Sequence, residues 1–108
     1  MTLTQLVSYF RKGGSFEAFC QTNKLNPESE VIEVYMVQPF DLSKEVAFFE
    51  IEETEGKVEH AVNEVTYHNL FDFYYFLDAI AESNEGEHLS KTDDDVARAV
   101  LSYATHDA

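Results

Sequence analysis

The stretch LFDFYYFLDAI, residues 70–80, decides the fold, because it crowds Phe71, Phe73, Tyr74, Tyr75 and Phe76 into a single segment. On one helix, at about 100° per residue, these rings separate into two sets. Leu70, Phe73, Tyr74, Phe76, Leu77, Ile80 and Ala81 form a wide stripe centred near Phe73 and Leu77, which reads as core. Phe71 and Tyr75, four apart, fall on the other side among Asp72, Asp78, Ala79 and Glu82. The spacing predicts a helix from about 67 to 82, with Thr66 or Asn69 as its cap and Asn69 and Asp72 spaced as a capping pair.

Phe71 and Tyr75 then call for a cover of their own. A final helix folding back over them is one solution, since a helix that is apolar nearly all round is buried on more than one side. Tyr75 lying along the surface as an isolated aromatic is another. The third is functional: Phe71, Tyr75, Asp78 and Glu82 form an acidic-aromatic patch that receives Arg or Lys from a partner, by charge pairing at the rim and cation–π contact at the rings.

Upstream, Leu3, Leu6, Val7, Tyr9 and Phe10 are spaced for a short amphipathic helix capped by Thr2 or Thr4 and ended by Gly13-Gly14. Ser15 caps a second one, with Phe16, Phe19 and Cys20 on one face and a stop near Asn23. The two make a helical hairpin over about 3–23. Asn26-Pro27 marks a linker, and three strand-like runs follow over about 31–65: VIEVYMVQ (31–38), EVAFFEIEE (45–53) and KVEHAVNEV (57–65). Thr54-Glu55-Gly56 is short enough for a hairpin between the last two, with Gly56 free to take φ > 0.

After residue 82, an acidic turn (83–90) leads to Thr92, which caps a last helix with Asp93, Asp94 and Asp95 in its first turn. With that helix, the C-terminal helices cover about 67–104. The element order is ααβββαα, and the expected architecture is a single α+β domain over 1–108, in two layers, with a three-stranded antiparallel meander packed against helices.

Along the meander, Ile32, Val34, Met36, Ala47, Phe49 and Ile51 are expected to face the helices. The reverse face then shows Glu33, Tyr35, Val37, Phe48, Glu50 and Glu52. An uncovered antiparallel face is normally polar, so Tyr35, Val37 and Phe48 stand out there. Tyr35, Phe48, Glu50 and Glu52 are the second candidate patch, for a foreign partner or for a homodimer.

Charge narrows the functions. Seven Lys plus Arg against 21 Asp plus Glu give a net charge of −14. A field of that sign repels phosphate backbones and anionic lipid and speeds encounter with a basic protein. Residues 1–24 hold Arg11, Lys12 and Lys24 against Glu17, a net of +2, which leaves −16 on the remainder. The N-terminal helices are thus suited to dock on the acidic part, within one chain or between two. Cys20 is the only cysteine, so no intramolecular disulfide forms, and a thiol among phenylalanines suits a buried position in a reducing compartment, the cytoplasm. MTLTQLVSYFRKGG lacks the order of a signal peptide, and no run approaches the about 18 apolar residues of a membrane span.

Signatures of chemistry are missing from the sequence. His60, His68, His88 and His106 stand in no H-x-x-x-H or H-E-x-x-H arrangement. Glu85, Glu87, His88 and Asp93–Asp95 match no cation-binding loop and read better as helix capping and a solvated turn. No motif fixes a base beside Cys20 or a serine, and Gly13-Gly14-Ser15 is too short to be a phosphate cradle. No cofactor and no metal are expected. The leading expectation is a non-enzymatic interaction module, of an inhibitor, immunity or regulatory kind, for a basic protein. The alternatives are a small-molecule or catalytic pocket between sheet and helices, holding His60 or His68, and a DNA mimic.

Overall fold

The computed structural model describes residues 1–106; residues 107–108 and the His106 side chain lie outside the described part. Within LFDFYYFLDAI the backbone changes state at Asp72. Val65–Asp72 is a β-strand and Phe73–Ser83 a helix, so the expected helix over 67–82 is a strand followed by a helix. Asp72 itself is extended (φ −87°, ψ 164°), and its carboxylate accepts a hydrogen bond from the Tyr75 N–H at 2.8 Å, as an N-cap does. Two periodicities meet in the stretch, and a single helical projection merges them. The expected cap, Asn69, lies inside the strand and donates from Nδ2 to Glu33 at 2.7 Å.

In chain order the elements are α1 (Leu3–Arg11), α2 (Phe16–Thr22), β1 (Ile32–Met36), β2 (Ala47–Glu50), α3 (Ile51–Thr54), β3 (Glu59–Val62), β4 (Val65–Asp72), α4 (Phe73–Ser83), a 3₁₀ turn (Gly86–Ser90) and α5 (Asp93–His106). The fold is α+β, but the sheet has four antiparallel strands in the order β2-β1-β4-β3, where three were expected. The hairpin turn falls at Asn63-Glu64, inside the expected third strand, and both residues take left-handed φ (51° and 69°). A two-residue turn of that kind matches the twist of the strands it joins. Gly56 does take φ 75°, yet Glu55-Gly56 ends the short α3 and does not close a hairpin.

Because β2 and β3 sit on opposite edges, the link between them (51–58) has to cross the sheet, and it does so over the face turned away from the main helices. This link covers Tyr35, which looked anomalous on an open face. Tyr35 is fully buried under it, edge-on to Phe49 at 5.2 Å, and its hydroxyl donates to the Lys57 carbonyl at 2.7 Å. Thr54, also buried, donates toward Glu33. β1 follows its expected phase, with Ile32, Val34 and Met36 in the core. β2 has the opposite phase: Phe48 faces the helices against Phe19 (5.0 Å), and Phe49 faces the link against His60 (4.6 Å).

On the other face α1, α4 and α5 pack together on the sheet. The rings of Phe10, Phe19, Phe73 and Phe76 meet at centroid distances of 5.4 to 6.0 Å and fill this layer. Thr2 caps α1 in a capping box with Gln5, and Ser15 caps α2. Arg11, nearly buried, donates to Asp93 Oδ1 (3.1 Å), to the Lys91 carbonyl (2.8 Å) and to the Ser83 carbonyl (3.2 Å). One N-terminal cation therefore docks on the acidic remainder within the chain, joining the end of α1 to the end of α4 and the start of α5. Among the described residues, no helix is long and apolar enough to cross a membrane.

Candidate functional site

The two patches expected from the sequence do not form as surfaces. Phe71 is 5% exposed and lies on β4 in the core, stacked on Phe76 at 5.8 Å. Tyr75 is half-buried, and its ring stacks on Tyr103 of α5 at 4.0 Å and 14°. The last helix therefore supplies the cover for Tyr75. Tyr74, expected in the core, is 64% exposed, because starting the helix at Phe73 turns the buried stripe onto Phe73, Phe76 and Ile80. Asp78 and Glu82 do face solvent and run down α4 from Tyr74 at four-residue spacing.

The second patch is taken apart by the sheet. Tyr35 lies fully buried beneath the 51–58 link, and Phe48 is half-buried against the helices on the opposite face. Glu50 accepts from the Asn26 N–H at 2.9 Å, and Glu52 from the Ser29 hydroxyl and the Glu30 N–H. Both carboxylates brace the linker ahead of β1. The Ser29 hydroxyl, followed by the Glu30 N–H, holds the Glu52 carboxyl below the usual carboxylate range.

Other chemistry-bearing residues are likewise spoken for. Burial pushes the Cys20 thiol up, with a further contribution from the Glu50 carboxylate, which disfavours the nucleophilic thiolate. His60 pairs with Glu53 and His68 with Glu59, each at 3.2 Å, near the β3–β4 hairpin. The three adjacent aspartates have separate tasks: Asp93 holds Arg11, Asp94 accepts from Arg98 at 2.9 Å, and Asp95 closes a capping box with Thr92. Among the described residues, no three His, Cys, Asp or Glu side chains gather in a group that could hold a metal ion.

A different acidic-aromatic site emerges from the strand register. Glu33 on β1 is the direct partner of Asp72 on β4, so two carboxylates stand side by side on one face of the sheet. Like charges so placed repel. Among the described residues, neither forms an ion pair: Glu33 is held by the neutral Asn69 amide and Thr54 hydroxyl, and Asp72 by the Tyr75 N–H. They line a groove of about 410 Å³ with Asn69, Val58 and the Tyr75–Tyr103 stack. Among its described lining residues there is no lysine, arginine or histidine. Val58, 70% exposed, forms an apolar rim.

Of the eight residues singled out from the sequence, Phe71 and Tyr75 border this groove, and Glu33, Asp72 and Tyr103 were missed as site residues. The signal for Glu33 and Asp72 is a register between two strands far apart in the chain, one of them read as helix. No family model, no curated protein and no solved structure matches this chain.

Proposed function

We propose that this chain is a small acidic interaction module, of an inhibitor or regulatory kind, that binds a basic protein partner, with the groove at Glu33 and Asp72 as its principal contact. The observation that carries this reading is the juxtaposed carboxylate pair, without an ion-pair partner among the described residues, beside a stacked aromatic wall. Desolvated charge pairs flanked by aromatic anchors are where binding energy concentrates in protein interfaces. The net charge of −14 adds long-range attraction for a basic partner and opposes contact between two copies of the chain. The buried thiol of Cys20 suits a reducing compartment, which supports a role in the cytoplasm.

The test is binding to immobilised basic proteins in low and high salt, comparing wild type with the double variant Glu33→Gln, Asp72→Asn. A glutamine in the first position keeps an acceptor for Asn69, and an asparagine in the second remains a good helix cap, so the fold is retained while two charges go. The expected result is retention by wild type at low salt, loss at high salt, and markedly weaker retention of the variant. Equal retention of the two proteins would remove the groove from the interface.

A further inference from the structure

Resting on the reading above, we infer that the groove is an arginine pocket: it seats one guanidinium of the basic partner against Glu33 and Asp72 and discriminates against lysine. The two carboxylates reach the same place from neighbouring strands, since Glu33 and Asp72 are register partners across β1 and β4. Each is already anchored by neutral donors. Asn69 Nδ2 donates to Glu33 Oε2 at 2.7 Å, with the Thr54 hydroxyl 3.5 Å from Oε1, and the Tyr75 N–H donates to Asp72 Oδ1 at 2.8 Å. These bonds fix where the negative charges stand without neutralising them. A carboxylate offers about four lone-pair sites, so acceptor capacity remains for a guest that meets a site already in place.

The lining selects the cation. Directly opposed residues of an antiparallel pair have Cβ atoms about 4.5–5.5 Å apart, so the carboxylates offer acceptors over a width. A planar guanidinium with its fork of donors covers that width, whereas an ammonium is a point charge. The Tyr75–Tyr103 stack borders the same groove, and a weakly hydrated guanidinium lies against aromatic rings more readily than a strongly hydrated ammonium. Val58, exposed at the rim, gives the methylene stem of the arginine an apolar surface to cross. A metal ion is a poor occupant, because no third His, Cys, Asp or Glu joins the pair among the described residues. A second copy of the chain is also a poor source of the guanidinium. Arg11 is nearly buried in its own helix-end contacts, Arg98 is paired with Asp94, and each copy carries −14.

The probes are capped hexapeptides in which valine alternates with arginine, with lysine, or with asymmetrically dimethylated arginine, which keeps its charge but cannot form the bidentate fork. Each is titrated calorimetrically at low ionic strength into three proteins: wild type, Glu33→Gln with Asp72→Asn, and Asp78→Asn with Glu82→Gln. Wild type is expected to bind the arginine peptide about tenfold or more tightly than the other two. The Asp78/Glu82 variant is expected to keep that preference and the Glu33/Asp72 variant to lose it. Equal, salt-sensitive binding of all three peptides by wild type overturns the arginine pocket while leaving an acidic interaction module intact. A preference for arginine that survives in the Glu33/Asp72 variant overturns the pocket as well. Failure of every peptide to bind wild type overturns both the pocket and the module.

Discussion

Tyr75 of α4 and Tyr103 of α5 stack with ring centroids 4.0 Å apart and planes 14° from parallel, and this contact fixes one wall of the groove. Aromatic pairs are worth about 0.5–1.5 kcal/mol beyond the area they bury. Tyr103→Ala is therefore expected to lower stability by about 1 kcal/mol, and Tyr103→Phe by much less. Denaturant titration of both variants, with a double-mutant cycle through Tyr75→Ala, measures the coupling. A coupling near zero would mean that the stack contributes no stability.

Arg11 ties three helix ends together through Asp93 and the carbonyls of Ser83 and Lys91. Arg11→Met keeps much of the side-chain volume but strips the partners from two carbonyls and a half-buried carboxylate. A loss of about 2–4 kcal/mol is expected in denaturant unfolding. Arg11→Lys is expected to recover only part of it, since one ammonium cannot reproduce the planar fork.

Two neighbouring rings of LFDFYYFLDAI provide a direct contrast. Phe76→Ala removes a fully buried ring that touches Phe10, Phe71 and Phe73, and is expected to cost about 3–5 kcal/mol. Tyr74→Ala removes an exposed ring with one hydrogen bond, to the Glu30 carbonyl at 3.0 Å, and is expected to cost under about 1 kcal/mol. Similar losses at the two positions would contradict a helix that begins at Phe73.

The contrast between Tyr74 and Phe76 also shows where the sequence is readable. The caps at Thr2, Ser15 and Thr92 and the phase of β1 follow from signals only a few residues long, and they are where the sequence places them. Asp72 is harder, because an aspartate ahead of an aromatic run fits both a helix interior and the cap that ends a strand. Its true role depends on Glu33 and Phe71 finding their partners across the sheet. The β2 phase is ambiguous for a related reason: in Ala47-Phe48-Phe49, either phenylalanine can face inward, and the 51–58 link settles the choice by covering Phe49. The groove is illegible in the sequence because it is made by where one strand stops relative to another.

Glu64, at φ 69°, occupies a left-handed position that costs a residue with a Cβ about 1 kcal/mol. Glu64→Gly converts the turn to Asn-Gly, the preferred sequence for a two-residue hairpin. A gain of about 0.5–1 kcal/mol is expected, partly offset by the entropy of glycine in the unfolded chain. Thermal unfolding of wild type and variant reads the difference, and a lower midpoint for the variant would contradict the assigned turn.

Asp95 links stability to pH. The Thr92 N–H, and after it the Thr92 side chain, hold its carboxyl below the usual carboxylate range. A carboxyl with a depressed folded-state pKa contributes stability above its unfolded pKa and loses it as the pH falls through the folded value. Asp95→Asn is therefore expected to reduce the fall in stability between about pH 5 and pH 2, with Asp41 and Glu52, both held low by serine hydrogen bonds, supplying part of what remains. Identical pH profiles for wild type and variant would show that the cap carries no linkage.

The central claim is that the carboxylates of Glu33 and Asp72 receive a basic partner. It is tested most directly by nuclear magnetic resonance of the ¹⁵N-labelled protein as a capped hexapeptide of alternating Val and Arg is added at low salt. The expected result is saturable shifts concentrated at Glu33, residues 69–72, Tyr75 and Tyr103. Shifts concentrated instead along Tyr74, Asp78 and Glu82, or spread evenly over the acidic surface, would contradict it.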